Sequence, residues 1–128
     1  MIYSGYMRAF VVDDDPDLRD LACGALERAG WTVDAVEDGL AALGTIRHVI
    51  PQVIVLDLRM PNLSGVEVLK LLRSTEVGRQ IPVVVTTGAA IDDSVRALAT
   101  AIMVKPFSLD DLLRVVADVT DQAVPKPA

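Results

Sequence analysis

Val53-Ile54-Val55-Leu56-Asp57-Leu58-Arg59-Met60-Pro61 is the stretch on which the fold turns. Four apolar, mostly β-branched residues run directly into a carboxylate. An apolar run without alternation reads as a strand buried on both faces of a parallel sheet. Asp57 then stands at the carboxyl end of that strand, the edge of an open α/β sheet where ligands and chemistry collect. Pro61 and Asn62-Leu63-Ser64-Gly65 stop the strand and open a loop. A carboxylate at such a place is costly unless something pairs with it.

The flanking sequence repeats the pattern. Met7 to Val12 reads as a first strand and ends in Asp13-Asp14-Asp15. Asp15-Pro16 has the order of an N-cap followed by proline at the first helical position. Leu18, Leu21, Ala22, Ala25, Leu26 and Ala29 keep helical apolar spacing, and Gly30 closes that helix. Trp31 to Val36 is predicted as a second strand, with Trp31, Val33 and Ala35 alternating inward. Asp38-Gly39 opens a second helix through Leu40, Leu43 and Ile46. Ser64-Gly65-Val66-Glu67 has capping-box form and starts a third, through Val66, Leu69 and Leu72.

Gly78 and Pro82 are expected to punctuate a loop before Val83-Val84-Val85-Thr86, a fourth strand. Asp92 to Thr100 is predicted as a short fourth helix and Ala101 to Val104 as a fifth strand, which runs into Lys105-Pro106-Phe107. Ser108 caps a final helix through Leu109, Leu112, Leu113, Val116 and Val119. Five strand–helix units with short links imply a parallel sheet with helices on both faces.

The 128 residues suit one domain. Net charge is −6 with the cations scattered, which disfavours direct binding to nucleic acid or to an anionic membrane. A single cysteine, Cys23, excludes an internal disulfide and reads as a small core residue. Met1 to Met7 lacks a secretory pattern and no apolar run reaches membrane-spanning length, so a cytoplasmic location is expected. His48, the only histidine, is expected on the surface near the end of the second helix.

The chemistry gathers at strand ends: Asp13 and Asp14 after the first, Asp57 after the third, Thr87 after the fourth and Lys105 after the fifth. If the first and third strands are neighbours, the three acids converge. Two like charges 4 Å apart cost about 4 kcal/mol even at an effective dielectric near 20. A hard divalent ion with oxygen ligands answers that cost, and Mg²⁺ suits few carboxylates, a carbonyl and waters. A carboxylate so neutralised is suited to take a phosphoryl group as an acyl phosphate. Thr87 and Lys105 offer a hydroxyl and an ammonium to phosphoryl oxygens. Asp15 reads better as a helix cap than as a ligand, and Asp92, Asp93, Asp110 and Asp111 as caps or solvated first-turn acids.

Val11-Val12-Asp13-Asp14-Asp15-Pro16, Leu56-Asp57-Leu58-Arg59-Met60-Pro61 with Gly65, Pro82 through Thr87-Gly88, and Val104-Lys105-Pro106-Phe107 together resemble the receiver domains of two-component response regulators. The resemblance runs through nearly the whole chain. It implies a flavodoxin-like, doubly wound α/β fold with strand order 2-1-3-4-5, a receiver over residues 7–123, a tail at 1–6 and a tail or linker at 124–128. It implies Asp57 as acceptor of a phosphoryl group from phosphohistidine. Asp14, Asp57 and the Arg59 carbonyl would hold Mg²⁺ directly and Asp13 through water, with Thr87 and Lys105 on the phosphoryl group and a cis Lys105–Pro106 bond. The implied partners are a sensor histidine kinase or phosphotransfer protein and a downstream effector, with a homodimer through the fourth helix, fifth strand and fifth helix as a further option.

The chain also departs from that pattern. The segment between Thr87 and Lys105 is shorter than in most receivers and lacks the usual Gly-Ala before the fifth strand. Ile102 stands where the family often has an aromatic switch residue, so a shortened or irregular fourth helix and a weaker or different switch are expected. Arg59 and Ala89 stand at the two positions that, by the resemblance, flank the path of an attacking water, and neither orients water well, so slow self-dephosphorylation is expected. One rival is an aspartyl-nucleophile hydrolase, which wants a second Asp where Arg59 stands. Another is a pseudo-receiver that binds protein without phosphate; the chain is not expected to be an enzyme beyond its own phosphorylation and dephosphorylation.

Overall fold

A computed structural model describes residues 7–60 and 62–120. The tails at 1–6 and 124–128, and Pro61, lie outside the described residues. The strands are β1 (Arg8–Val12), β2 (Thr32–Val36), β3 (Val53–Asp57), β4 (Val83–Thr87) and β5 (Ala101–Val104). They form one parallel sheet in the order β2-β1-β3-β4-β5. The helices are α1 (Pro16–Arg28), α2 (Gly39–Ile46), α3 (Gly65–Arg73), α4 (Glu76–Gln80), α5 (Asp93–Leu98) and α6 (Leu109–Thr120).

Side-chain alternation sorts the core into two clusters, one on each face of the sheet. Phe10, Val12, Ile54, Leu56, Val83 and Val85 face Ala42, Val68, Leu69, Leu72 and Val95 of α2, α3 and α5. Ala9, Val11, Val53, Val55, Val84 and Met103 face Leu26 of α1 and Leu112 and Val116 of α6. Each such side chain taken fully out of water contributes about 1.5–3 kcal/mol. β3 and β4 are buried along their whole length, which is why their sequences show no alternation.

The local start signals act as their chemistry dictates. Asp15 accepts hydrogen bonds from the Asp17 and Leu18 N–H groups, with Pro16 opening α1. Ser64 and Glu67 form a complete capping box on α3. Asp92 accepts from the Val95 N–H at the start of α5.

Several expectations fail. Gly78 lies inside a helical turn, α4, which Thr75 caps by accepting from the Gly78 N–H. A Cβ on Gly78 would collide with the Leu72 carbonyl oxygen, so this glycine allows a close approach and is not a loop breaker. Trp31 and Val33 pack into the α1–α6 cluster as expected, but Ala35, at the end of this edge strand, is exposed, and Val36 is buried on the opposite face of the sheet. Leu18 and Leu21 of α1, and Leu40 of α2, are exposed despite their helical spacing. The short fourth helix expected from Asp92 to Thr100 is present as the six residues Asp93–Leu98, capped by Asp92, so that expectation holds. Cys23, expected in the core, packs half-buried against the α1–α6 cluster.

Candidate active site

β1 and β3 pair directly, in register Val12 with Leu56. Their carboxyl ends therefore set Asp13 beside Asp57. Asp13, Asp14 and Asp57 each place a carboxylate oxygen within 4.8 Å of the others. Asp57 and Asp13 are buried, while Asp14 is exposed.

Asp57 is held by the chain around it. The Arg59 N–H donates to Asp57 Oδ1 at 3.3 Å. The next residue, Leu58, donates its N–H to Thr86 O at 3.1 Å and accepts from the Gly65 N–H at 2.9 Å. A Cβ on Gly65 would strike the Asp57 carbonyl and the Leu58 Cα. Glycine here lets α3 begin directly against the end of β3. Asn62, at φ 67°, supplies the left-handed residue that the intervening turn needs.

Lys105 reaches the acids from the far side. Its Nζ lies 3.4 Å from Asp57 Oδ1 and 3.8 Å from Asp13 Oδ2. The Lys105 N–H donates to Thr87 O at 2.7 Å, and the Lys105–Pro106 bond is cis. Burial, and then the neighbouring Asp13 charge, push the Asp57 carboxyl above the ordinary carboxylate range. Lys105 and the Arg59 N–H pull in the other direction and do not cancel that effect.

Three clustered carboxylates against one ammonium leave excess negative charge in a partly dry edge. All the donors are hard oxygens. The set fits a small divalent cation such as Mg²⁺.

Thr87 is buried at the end of β4 and follows Val83 and Val85 in the alternation. Its hydroxyl accepts from the Ala89 N–H at 3.1 Å and donates to Ala89 O at 3.3 Å. Gly88, Ala89 and Ala90 are exposed. Ile102, paired with Val85 in the sheet, is half-buried against the α2–α5 side of the core. Arg59 is exposed, as is His48.

Two arginines emerge that residue spacing alone did not single out. Arg19 Nη1 donates to Asp13 O at 2.8 Å. Arg73, half-buried, donates to Gly78 O, Ile81 O and Leu98 O at 2.6, 2.7 and 2.9 Å, and so joins α3 to the end of α5. A further apolar cavity of about 250 Å³ opens between α1 and the start of α6. Leu18, Leu21 and Phe107 line it, with Asp13 and Lys105 at its rim, which accounts for the exposed leucines of α1.

Residues 9–117 match the family model described as the response regulator receiver domain. The chain belongs to that family. The receiver is 39% identical over 111 residues to the response regulator MprA of Mycobacterium avium, an alignment covering 84% of this chain and 48% of that protein. It thus spans about half the length of the relatives it matches. Among solved structures it is similar to the chemotaxis protein CheY4 of Vibrio cholerae, with TM-score 0.83 and 28% identity, covering 90% of this chain and 99% of that one. It is also similar to the response regulator TrrA of Thermotoga maritima in complex with Mg²⁺ and BeF, with TM-score 0.79 and 30% identity, covering 88% and 97%. Family membership makes the receiver a module of phosphorelay signal transduction. No helix among its described residues is long and apolar enough to cross a membrane.

Proposed function

We propose that this receiver takes a phosphoryl group onto Asp57, in a reaction that needs Mg²⁺, and thereby changes which protein it binds. The convergence of Asp13, Asp14 and Asp57 carries the reading. The Mg²⁺ and BeF of the TrrA complex support it by analogy.

In this reading Asp13, Asp14, Asp57 and the Arg59 carbonyl would hold the Mg²⁺. When bound, Mg²⁺ offsets the repulsion among the acids and between them and the incoming phosphoryl oxygens. The Asp57 carboxylate forms the new O–P bond as the N–P bond of a phosphohistidine breaks, and the imidazole keeps that bonding pair. Lys105 favours the ionised nucleophile and then pairs with a phosphoryl oxygen. Asp13 fixes Lys105 from its other side. Thr87 gives up its hydrogen bonds to Ala89 and donates to the phosphoryl group, which draws the 88–92 loop towards the site.

The phosphodonor is a histidine kinase or phosphotransfer protein, and the receiver spans residues 7–123 in the cytoplasm. The output passes to an effector protein, or to a second copy, through α5, β5 and α6. Ile102 carries no hydroxyl to hide or expose, so the repacking of this face is weaker than an aromatic residue would give.

Beryllium fluoride, a mimic of the phosphoryl group on a carboxylate, tests the reading by amide NMR. With Mg²⁺ present, shifts are expected at Asp57, Thr87–Ala89 and Lys105, and they are expected to vanish in Asp57→Asn. Equal shifts in that variant, or none in the wild type, would refute the assignment.

A further inference from the structure

Arg19 takes no part in the phosphoryl chemistry above, yet it touches the acidic loop at a point that no other group among the described residues holds. It lies one turn into α1, half-buried, with Nη1 on the Asp13 carbonyl oxygen at 2.8 Å. That oxygen belongs to the peptide plane between Asp13 and Asp14. The plane is rigid, so its tilt fixes where the Asp14 N and Cα lie and leaves only φ and the side-chain torsions of Asp14 to aim its carboxylate.

Other bonds fix the loop on either side of this plane. The Asp13 N–H donates to Val36 O at 3.1 Å. The Asp15 N–H donates to Asp13 Oδ1 at 2.9 Å, and the Asp15 carboxylate caps α1. The Arg19 N–H donates to Asp15 O at 2.9 Å, so the arginine is itself anchored by the loop it grips. Asp14 is the exposed member of the three acids, so its aim depends on backbone orientation more than on packing.

We infer that Arg19 is a positioning residue for the divalent-cation site: its guanidinium locks the Asp13–Asp14 peptide so that both carboxylates converge with Asp57. The inference rests on the reading of these acids as a cation site. An opposing effect must be weighed. A guanidinium near a cation site repels the ion, and on that ground alone its removal would tighten binding. Arg19 is half-buried and lies well inside a Debye length of the acids, so salt screens this repulsion only in part. Groups that orient metal ligands typically change affinity by about 10–100-fold. Ordering is inferred to outweigh repulsion, and the order of the variants below decides between the two.

The test is a Mg²⁺ titration of the whole chain without any phosphoryl donor, followed by calorimetry and by the amide shifts of Asp13, Asp14 and Asp57. Arg19→Met is expected to weaken Mg²⁺ binding by about tenfold, with the metal-free protein still unfolding cooperatively and its thermal midpoint lowered less than in Arg73→Met, since one carbonyl loses its donor and not three. Arg19→Gln, too short to reach the carbonyl, carries the same expectation should the Met variant not fold. Arg19→Lys still offers a donor and is expected to bind more tightly than Arg19→Met. If repulsion dominates, the order reverses, and Arg19→Met binds as tightly as the wild type or more so; either result overturns the inference. A wild type that does not bind Mg²⁺ at all overturns the cation-site reading instead, so the two failures are distinguishable.

Discussion

The two halves of the active edge are built differently. On the acid side, α3 starts against the backbone of Asp57 and Leu58, with no room for even one Cβ at Gly65. Asp13 is fixed through its N–H, its carbonyl and its carboxylate. On the Thr87 side, a Cβ on Gly88 would meet nothing within 4 Å. Among the described residues the Thr87 hydroxyl engages only the backbone of Ala89, α5 has six residues with one of them buried, and Val104 is 62% exposed on the edge strand. The far end of α5 is nonetheless tied down by Arg73. In the proposed reading, the half that would take the phosphoryl group is firmly held by its own backbone, and the half that would report it is loosely held near Thr87 and pinned at its distant end, which suits a segment meant to move.

Substitutions can sharpen or break this contrast. The largest effect is expected at Gly65: Gly65→Ala must displace backbone and costs about 1–3 kcal/mol of stability in a denaturant melt, with loss of Mg²⁺ affinity. Gly88→Ala, the matching change on the other half, is expected within about 0.5 kcal/mol of wild type. Comparable losses for the two would erase the asymmetry.

Arg73→Met takes a donor from three backbone carbonyls, of which Gly78 O keeps the Ile81 N–H, and is expected to cost about 1–3 kcal/mol. Faster amide exchange should then spread into α5 while the acidic loop stays protected. Exchange that rises equally at residues 13–19 would argue against a pinned hinge.

Asp57→Asn is expected to raise the melting temperature of the Mg²⁺-free protein at neutral pH. Burial raises the Asp57 carboxyl above its unfolded value, so the folded state favours the protonated form. The ionised group therefore costs stability above the unfolded-state pKa, and that cost fades as pH falls through the raised folded value. A lower melting temperature for the variant at neutral pH would contradict this sign.

The smallest effect concerns lifetime. Arg59 and Ala89 are both exposed beside the site, and neither orients water well. The phosphorylated form is expected to outlast removal of the donor by gel filtration, with little change in Ala89→Gly. Decay within seconds would show that some other group directs the water.

Much of this was legible in the chain because strand ends and helix starts leave strong marks. β3 and β4 announce themselves as unbroken apolar runs, and Asp15-Pro16 and Ser64-x-x-Glu67 mark their helices. The acidic trio could be named before any coordinates, since parallel pairing sends all carboxyl ends to one edge. What escaped detection depends on distant partners. Gly78 reads as a loop breaker until Leu72 is seen against it. Ala35 sits near the end of an edge strand, exposed beyond the cover that Trp31 and Val33 find in the α1–α6 cluster. Leu18 and Leu21 have core spacing but border an open cavity. Arg19 and Arg73 act on backbone carbonyls, which carry no sequence signature.

The most direct test is intact-mass measurement after incubation with a small acyl phosphate. The account predicts one added phosphoryl group, dependent on Mg²⁺, absent in Asp57→Asn and present in the Asp57-intact Thr87→Val protein. An adduct of equal yield in Asp57→Asn, or one that forms without a divalent cation, would contradict it.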